Sequence, residues 1–418
     1  MKLSVCLIVK NEERVLGRCL SCASRISDEL IIVDTGSTDH SVEIAKQFTP
    51  HVFLHPWQNS FAEARNFSYS KATGDYIMWL DADDVISDEN IARLNALKAE
   101  ETDADVIFTR YGSASETGLF DYILRDRIIR RAVYTKWLYD IHEAIPMEPG
   151  WQKLYRTDIE ILHKKEYVNE PERNMNIFNR LLEEGKPLSL FERVNLVKEL
   201  SLHHRTDEAL ELFLEIRDSL DRHSYAYALS FLVQELIEAE RWQECCDVIQ
   251  KAKPRLSPTA KLTYEEGRCL EGLGEEERAE SLYRQAMTVE EDPLDLSIRF
   301  TGYDDYYPYL RLAVLANRRG DLRGALRFLD SAGRAHPKDE AWQNMRLRFL
   351  LNIEEQNTEK ETEKMEKTEQ ELKQLKEEAA QLKEKLRMLT SEELEQVIGG
   401  TDITRIGNEN KKHLGNIT

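Results

Sequence analysis

Short apolar segments alternate with amphipathic segments over the first 110 residues of the chain. The apolar segments have the length of strands and cover residues 3–9, 29–33, 52–55, 76–80 and 106–109. The segments between them have helical periodicity and cover residues 12–22, 39–48, 61–72 and 88–98. This order predicts an α/β domain with a mainly parallel sheet and helices on both of its faces. In such a domain, ligands bind beyond the carboxyl ends of the strands.

The composition excludes several classes of protein. The 418 residues carry a formal net charge of −20, and because such a surface repels a phosphate backbone, we expect no nucleic-acid partner. No stretch approaches the roughly 20 apolar residues of a membrane span. The first apolar segment is only seven residues long and Lys10 follows it, so we expect no signal peptide. Six cysteines do not make a disulfide framework, which favours a reducing, cytoplasmic location.

Acidic side chains follow two of the predicted strands directly. Asp34 comes after residues 29–33, and its carboxylate can accept a hydrogen bond from a base or a ribose hydroxyl. Asp81 and Asp83 come after residues 76–80. Two carboxylates at this spacing on a turn can face a ribose and a hard divalent cation, and oxygen ligands suit Mg²⁺ or Mn²⁺. The sequence therefore predicts a site for a nucleotide and a divalent cation at this edge.

Four ordered motifs make the chain similar to a known enzyme family. They cover residues 3–13, 32–39, 61–66 and 74–84. In order and spacing they resemble the inverting GT-A glycosyltransferases of family 2, closely over residues 1–110 and more loosely to about residue 168. The resemblance implies a GT-A fold, which is a Rossmann-like α/β domain with a mixed, mainly parallel sheet. It also implies transfer of a sugar from a nucleotide donor.

The resemblance implies roles for individual residues of these motifs. The residues implied at the donor are Asn11 and Glu12 in the nucleotide pocket, Asp34 at the uracil or ribose, Arg65 and Asn66 near the sugar and diphosphate, and Asp81 in the Asp-x-Asp element. Asp83 would be the direct ligand of Mg²⁺ or Mn²⁺. A divalent ion in that position stabilises the negative charge that grows on a departing diphosphate.

Residues 127–130 and 137–143 resemble the Arg…Trp…His-Glu segment of a subgroup of the same family, and a late histidine follows. Inversion at a sugar carbon requires a general base that takes the proton of the acceptor. The roles implied are donor binding for Arg127 and Arg130, the metal or the phosphate for His163, and the general base for Glu143, with Asp140 as second candidate.

These last assignments have alternatives. Many family members carry a Glu-Asp pair where this chain has His142 and Glu143. Glu143 could therefore be a structural carboxylate that pairs with Arg127 or Arg130. His163 lies in an apolar setting and could be an ordinary core histidine.

From about residue 171 to residue 351 the sequence has the pattern of paired helices. Equivalent positions after short polar turns are Ala209, Cys245, Ala279 and Ala325, with spacings of 36, 34 and 46 residues. A period near 34 is typical of tetratricopeptide repeats, and the longest spacing indicates an insertion of about 12 residues around residues 293–306. A plain helical bundle is the alternative. Stacked repeats offer a concave face that commonly binds peptides.

The C-terminal part of the chain is rich in Glu and Lys. Apolar positions recur every seven residues at Met365, Leu372, Ala379 and Leu386. This spacing predicts a coiled-coil-like helix over residues 352–398, which could pair two chains into a homodimer or remain a solvated helix.

Residues 389–400 resemble the end of a double-glycine leader of bacteriocins and lanthipeptides. Gly399 and Gly400 close the segment, and Leu389, Leu394 and Val397 precede them along one helical face. The resemblance implies docking to a double-glycine exporter or protease or to a modification enzyme, and a glycine-capped amphipathic helix is the alternative. Residues 401–418 are predicted to be a flexible tail, and they contain neither Cys nor Ser.

The predicted domains are thus a GT-A domain over residues 1–168 and helical repeats over residues 169–351. This arrangement resembles the sublancin-type peptide S-glycosyltransferases. The expected function is metal-dependent, inverting transfer of a hexose, glucose first, from a UDP-sugar to a Cys, Ser or Thr side chain of a ribosomal peptide. Two alternatives are the same chemistry on a cell-envelope glycan or lipid-linked acceptor, and a non-catalytic repeat scaffold.

Overall fold

The computed structural model describes residues 1–100, 102–114, 120–164, 172–291, 298–359, 377–378 and 380–384. Within these ranges an α/β domain is followed by a helical domain. The predicted order of the two fold classes along the chain is therefore confirmed. The predicted boundary at residues 168–169 lies outside the described residues.

Eight strands of the described residues form one mixed sheet. They are β1 (Leu3–Val9), β2 (Glu29–Asp34), β3 (Val52–Leu54), β4 (Tyr76–Leu80), β5 (Asp84–Val85), β6 (Val106–Ala114), β7 (Phe120–Arg130) and β8 (Lys153–His163). Their order across the sheet is β3-β2-β1-β4-β7-β6-β8-β5. Neighbours are parallel except in the pairs β4-β7, β7-β6 and β8-β5. The predicted mixed, mainly parallel sheet is confirmed.

The strand directions place several acidic and basic residues at one edge of the sheet. β1 to β4, β6 and β8 all run in the same direction, because β7 is antiparallel to both β4 and β6. Asp34 ends β2, Asp81 follows β4 directly, and His163 ends β8. The carboxyl edge of the sheet therefore collects side chains that are far apart in the sequence.

Four helices cover the sheet. They are α1 (Leu16–Ala23), α2 (Ser41–Phe48), α3 (Phe61–Ser70) and α4 (Asp88–Ala99). Ser60 caps α3 by accepting a hydrogen bond from the backbone N–H of Glu63 at 3.3 Å, which fixes where this helix begins. Leu7, Leu20 and Trp79 are buried in the core between helices and sheet. This apolar core holds the strand ends, and thus the site, in place.

Ten helices form the helical domain within the described residues. They are α5 (Arg173–Glu183), α6 (Leu190–Leu202), α7 (Thr206–Ile216), α8 (Arg222–Glu238), α9 (Trp242–Ala252), α10 (Ala260–Gly272), α11 (Glu276–Ala286), α12 (Tyr307–Arg318), α13 (Leu322–Ala335) and α14 (Glu340–Glu359). A single turn of 3-10 helix at Arg217–Ser219 follows α7.

The predicted repeat positions have equivalent places in these helices. Ala209, Cys245, Ala279 and Ala325 are each the fourth residue of their helices, α7, α9, α11 and α13. All four side chains are fully buried. A small side chain at this point lets each helix pack closely on its partner, which explains why the spacing was visible in the sequence. The predicted helical-repeat domain is confirmed.

A segment of the predicted insertion contacts the α/β domain. The backbone N–H of Tyr122 in β7 donates to the Arg299 carbonyl at 2.9 Å, and the N–H of Arg299 donates back at 2.6 Å. The N–H of Thr301 donates to Asp121 Oδ1 at 2.9 Å. The insertion thus ties the helical domain to the sheet.

The C-terminal predictions fall largely outside the described residues. α14 ends at Glu359, and residues 377–378 and 380–384 are helical. The remainder of the predicted coiled coil, the leader-like segment 389–400 and the tail 401–418 are not described, so these stay predictions. Among the described helices, none combines the length and the apolar character that crossing a bilayer requires.

Candidate functional site

The turn after β4 holds the first carboxylate of the Asp-x-Asp element between two partners. Asp81 Oδ1 accepts a hydrogen bond from Arg65 Nη2 at 2.8 Å, and Oδ2 accepts one from the Tyr111 hydroxyl at 3.2 Å. Burial alone would raise the pKa of Asp81, but the charges of Arg65 and Arg127 lower it below its usual value. The carboxylate is therefore ionised at neutral pH, and 28% of the side chain stays exposed.

His163, at the end of β8, lies beside this turn. Its Nδ1 is 3.2 Å from Asp83 Oδ1 and 2.9 Å from the Tyr111 hydroxyl. Burial would lower the pKa of His163, but the carboxylates of Asp83 and Asp84 outweigh burial and raise it to about 10. Its Nε2 is buried and has no hydrogen-bond partner among the described residues. The ring is thus protonated, with Nδ1 facing Asp83 and Tyr111, and a cation bound to it would displace one of its protons.

Asp84 is close to the same cluster but has other partners. One ligand atom each from Asp81, Asp84 and His163 lie within 4.8 Å of one another. However, Asp84 is only 1% exposed, and its Oδ2 accepts hydrogen bonds from Arg127 Nη2 at 2.7 Å and from the Asp81 N–H at 3.0 Å. A buried carboxylate that is already paired is a poorer metal ligand than Asp83, whose side chain is 15% exposed.

The donor set fits a divalent cation. Asp81 and Asp83 offer carboxylate oxygens, and one ring nitrogen of His163 lies 3.2 Å from Asp83 Oδ1. Carboxylates suit Mg²⁺ and Mn²⁺. The Tyr111 hydroxyl donates to Asp81 Oδ2 and accepts from His163 Nδ1, so it orients both side chains as outer partners do in metal sites. The predicted metal residues Asp83 and His163 are therefore brought together.

Arg65 of α3 links Asp81 to Glu143. Its Nε donates to Glu143 Oε1 at 2.5 Å, while its Nη2 binds Asp81. The guanidinium lies 4.7 Å from the ring centroid of Trp79 and 5.3 Å from that of Trp137. Burial alone would lower the pKa of Arg65, but the charges of Glu143 and Asp81 outweigh burial and raise the pKa above its usual value. The guanidinium is therefore always charged. Arg65 therefore fixes Glu143 beside the carboxylate turn.

A loop of residues 137–145 carries Glu143. Its base is closed by two backbone hydrogen bonds, from Leu138 N–H to the Ala144 carbonyl at 2.9 Å and from Ala144 N–H to the Leu138 carbonyl at 3.2 Å. Residues 139–143 form the tip of this loop. Glu143 is the last residue of the tip, and 12% of its side chain is exposed.

The turn after β2 contains the residues predicted to bind the nucleotide. Asp34 is only 3% exposed, and its Oδ1 accepts a hydrogen bond from the Ser37 N–H at 3.1 Å. Asn11 Oδ1 accepts one from the Thr38 N–H at 2.7 Å, which ties the end of β1 to this turn. Glu12 follows Asn11 directly. These bonds give the turn a fixed shape next to the acidic cluster.

The structure thus brings most of the predicted site residues to one edge of the sheet. They are Asn11, Glu12, Asp34, Arg65, Asp81, Asp83, Glu143 and His163.

Two other predicted residues hold the loop of residues 137–145 in place. Asn66 Oδ1 accepts from the Trp137 N–H at 2.8 Å, and its Nδ2 donates to the Trp137 carbonyl at 3.0 Å. Asp140 Oδ2 accepts from Arg180 Nη2 of α5 at 2.8 Å. Asn66 therefore supports the loop from the α/β side, and Asp140 faces the helical domain and not Arg65.

Arg127 is a correction to the predicted donor site. The side chain is fully buried, with its guanidinium 3.6 Å from the ring centroid of Trp79 and 3.8 Å from that of Tyr111. A group without exposed surface has no contact to give to a nucleotide, so Arg127 supports the site from below. Glu143 pairs with Arg65, and the alternative pairing with Arg127 is wrong.

Arg130 is a second correction. It pairs in the sheet with Tyr76, the first residue of β4, and its Nε lies 3.6 Å from Asp105 Oδ1. Asp81 comes after the last residue of β4, which places it about 16 Å away at the usual rise of a strand. Arg130 therefore lies at the opposite edge from the site.

Tyr111 is a site residue that sequence reasoning missed. Its hydroxyl contacts both Asp81 and His163. The predicted strand ended at residue 109, whereas β6 continues to Ala114. The signal in the sequence was a tyrosine, with its polar hydroxyl, near the carboxyl end of a predicted strand, where site residues collect.

Comparison with known proteins agrees with this geometry. Residues 4–162 match the family model described as Glycosyl transferase family 2. The matched residues make up most of the α/β domain. The matched range contains the acidic turn, Arg65 and Glu143, and it ends one residue before His163.

Two curated relatives and one solved structure are similar to parts of the chain. A TPR repeat-containing protein from Synechococcus elongatus is 30% identical over 159 residues, which are 36% of this chain and 39% of the relative. The SPbeta prophage-derived glycosyltransferase SunS from Bacillus subtilis is 36% identical over 90 residues, which are 21% of each chain. The chain thus spans about two fifths of the first relative and about one fifth of the second. A structure of glucosyl-3-phosphoglycerate synthase from Mycobacterium tuberculosis, 18% identical, covers 45% of this chain and 81% of that one with a TM-score of 0.31.

Proposed function

We propose that this chain is a metal-dependent, inverting glycosyltransferase that moves a hexose from a UDP-sugar to a Cys, Ser or Thr side chain of a peptide. One observation carries the proposal. A cluster of carboxylates with a histidine and a separate carboxylate, Glu143, meet at the carboxyl edge of a family 2 sheet, and Arg65 joins them. The cluster can hold a cation that stabilises the charge of the leaving group, and the separate carboxylate can take the proton of the acceptor.

The residues at the β4 turn are assigned to the leaving group. A Mg²⁺ or Mn²⁺ ion held by Asp81, Asp83 and His163 would supply positive charge to the oxygens of departing UDP. Arg65 keeps Asp81 ionised and oriented, since it donates a hydrogen bond to it from a buried position. Asp34, at the end of β2 on the other side of β1, is assigned to the uracil or ribose.

Glu143 is assigned as the general base. Its Oε1 accepts a hydrogen bond from Arg65 Nε at 2.5 Å, so the carboxylate is already held in one position before the acceptor binds. It takes the proton of the acceptor S–H or O–H while that sulfur or oxygen bonds to the sugar carbon. The bond from this carbon to the UDP oxygen breaks, and its electron pair leaves with UDP. Attack from the face opposite to UDP inverts the sugar carbon.

The helical domain favours a peptide as the acceptor. A cavity of about 330 Å³ lies between α8, α10 and residues 298–300. Its lining combines apolar side chains such as Tyr227, Leu262 and Phe300 with charged ones, a mixture that suits a peptide. The segment 298–301 that borders this cavity also pairs with β7. The resemblance to sublancin-type enzymes adds support for a Cys acceptor and for glucose.

UDP release tests the proposal. The chain is incubated with UDP-glucose and Mn²⁺, with a Cys-containing peptide, with its Ser and Ala counterparts, or with a glycan or lipid-linked acceptor. We expect release to need the cation and a peptide with a nucleophilic side chain, and mass spectrometry to show one added hexose. Release with only the glycan or lipid acceptor would support the cell-envelope alternative, and no release with any acceptor would refute an enzyme of this class.

Two variants tie the activity to the site. Asp83→Asn is expected to abolish turnover, whereas the matched variant Asp88→Asn, at a carboxylate that is 87% exposed on α4, retains it. Glu143→Gln is expected to lose turnover while it binds UDP in calorimetry with wild-type affinity. Full turnover of the Glu143 variant would remove this residue from the role of base.

A further inference from the structure

We propose that the helical domain positions the general base, through a hydrogen bond between His142 in the tip of the loop and Glu199 of α6. This inference rests on the proposed function, because it assigns a task to the residues that hold Glu143. His142 and Glu199 are positioning residues, since they act through Glu143 and not on the substrate.

The first three residues of the tip contact the helical domain. The ring of Tyr139 stacks on that of Phe191 in α6, with the centroids 4.6 Å apart. Asp140 is bound by Arg180 of α5. Ile141 is 5% exposed and lies within the apolar core of the helical domain. The tip is therefore packed on the helical domain although the rest of the loop belongs to the α/β domain.

His142 makes the fourth contact of the tip. Its Nε2 lies 2.8 Å from Glu199 Oε1, and both residues are buried. Burial lowers the pKa of His142, so the neutral ring donates its Nε2–H. Burial would raise the pKa of Glu199, but the hydrogen bond from His142 and the charge of Lys198 lower it, so the acceptor is a carboxylate. Hydrogen bonds to a buried charged acceptor are among the stronger ones in proteins.

The backbone is in the left-handed conformation at His142, directly before Glu143, so this contact is well placed to control the next residue. His142 has a φ of 54° and Tyr139 a φ of 73°. Side chains of this size are strained in the left-handed region and need contacts that hold them there. Glu143 follows directly and meets Arg65 on the α/β side. A shift of His142 is therefore passed to Glu143 through a single peptide unit.

The helical domain contains a second buried carboxylate with a histidine partner, and this carboxylate serves as a matched control. Glu235 of α8 is 2% exposed, and it binds His204 Nδ1 at 3.0 Å and the Thr206 hydroxyl at 2.6 Å. All three residues belong to the helical domain. Removing this carboxylate deletes a similar buried acceptor without touching the loop that carries Glu143.

The experiment compares Glu199→Ala, Glu199→Gln and Glu235→Ala in the full chain. One readout is kcat and KM of UDP release, and the other is hydrogen exchange of residues 137–145. Glu199→Ala is expected to lower kcat by about 10- to 100-fold, with KM for UDP-glucose within about threefold, because small misplacements of a base are costly. It also speeds exchange in residues 137–145. Glu199→Gln keeps an acceptor oxygen and restores both readouts, and Glu235→Ala matches the wild type in both.

Equal kcat and equal loop exchange in the Glu199→Ala and Glu235→Ala variants would overturn the inference. If the wild type releases no UDP with any acceptor, the proposed function fails, and loop exchange alone still decides whether Glu199 holds the tip. If Glu199→Ala does not fold, His142→Asn removes the ring with a residue that tolerates a left-handed backbone. That variant is expected to show the same loss of kcat, and wild-type kcat in it would also overturn the inference.

Discussion

Replacing Arg127 by Met tests whether this residue supports the site from within the core. The side chain is fully buried, pairs with the equally buried Asp84 at 2.7 Å, and lies against the rings of Trp79 and Tyr111. Methionine keeps much of the apolar stem but leaves the Asp84 carboxylate without its cation. Removing one partner of a buried ion pair costs about 3–5 kcal/mol, more than the roughly 2 kcal/mol of a cation–ring contact that is shielded from water.

We therefore expect the α/β domain to lose about 4 kcal/mol of its free energy of unfolding. For a unit of this size, about 1 kcal/mol lowers the melting temperature by about 2–4 °C, so the loss corresponds to roughly 8–16 °C. Thermal unfolding followed by circular dichroism measures it, with Arg25→Met as the matched control. The partners Arg25 and Asp88 are 50% and 87% exposed, and such a surface pair contributes at most about 1 kcal/mol.

UDP affinity, measured by calorimetry well below the melting temperature, distinguishes a structural role of Arg127 in the core from a direct contact with the donor. A variant that melts within about 2 °C of the wild type but no longer binds UDP would show that Arg127 contacts the donor. That result would refute the inference drawn from its burial.

Three further predictions follow from individual contacts. Tyr111→Phe removes a hydroxyl that orients two residues of the metal cluster, and it is expected to raise the Mn²⁺ concentration for half-maximal UDP release by about 10- to 100-fold. Burial raises the pKa of Asp121 to about 6, so its ionisation destabilises the fold as pH rises through that value. Asp121→Asn should therefore gain up to about 3 kcal/mol over the wild type between about pH 4 and pH 7, visible as melting temperatures that diverge with pH; parallel melting curves would contradict this. A Cβ on Gly272 would collide with the Trp242 ring, so Gly272→Val should destabilise the repeats by about 1–3 kcal/mol, unlike Gly17→Ala, where the nearest atom is 3.8 Å away.

The parallel half of the sheet could be predicted from sequence because its strands are buried on both faces. β1 and β4 appear as continuous apolar runs, and their predicted bounds match the structure. β7 and β8 were missed within a region described as irregular. β7 carries the buried charged residues Asp121 and Arg127, and their burial depends on partners elsewhere in the chain. Sequence alone gives the charge of such a residue but not its tertiary partner.

The same distinction explains the outcome for the site. Asp34, Asp81 and Asp83 were predicted together because strand direction alone sets their edge. The position of Arg130 depends on β7 running antiparallel, which local patterns did not reveal. The direction that each tip residue faces depends on α5 and α6, so the difference between Asp140 and Glu143 could not be predicted from their proximity in sequence.

The pairing of Tyr122 with Arg299 has a consequence for how substrates enter. The chain leaves the sheet after β8, passes through α5 to α11 and then returns to the edge of β7. The helical domain is attached to the α/β domain at both ends of this path. It therefore cannot rotate about a single linker without breaking the backbone hydrogen bonds between Tyr122 and Arg299. We therefore expect substrate entry and product release to involve rearrangements of loops and side chains, and not a hinge motion of the whole helical domain.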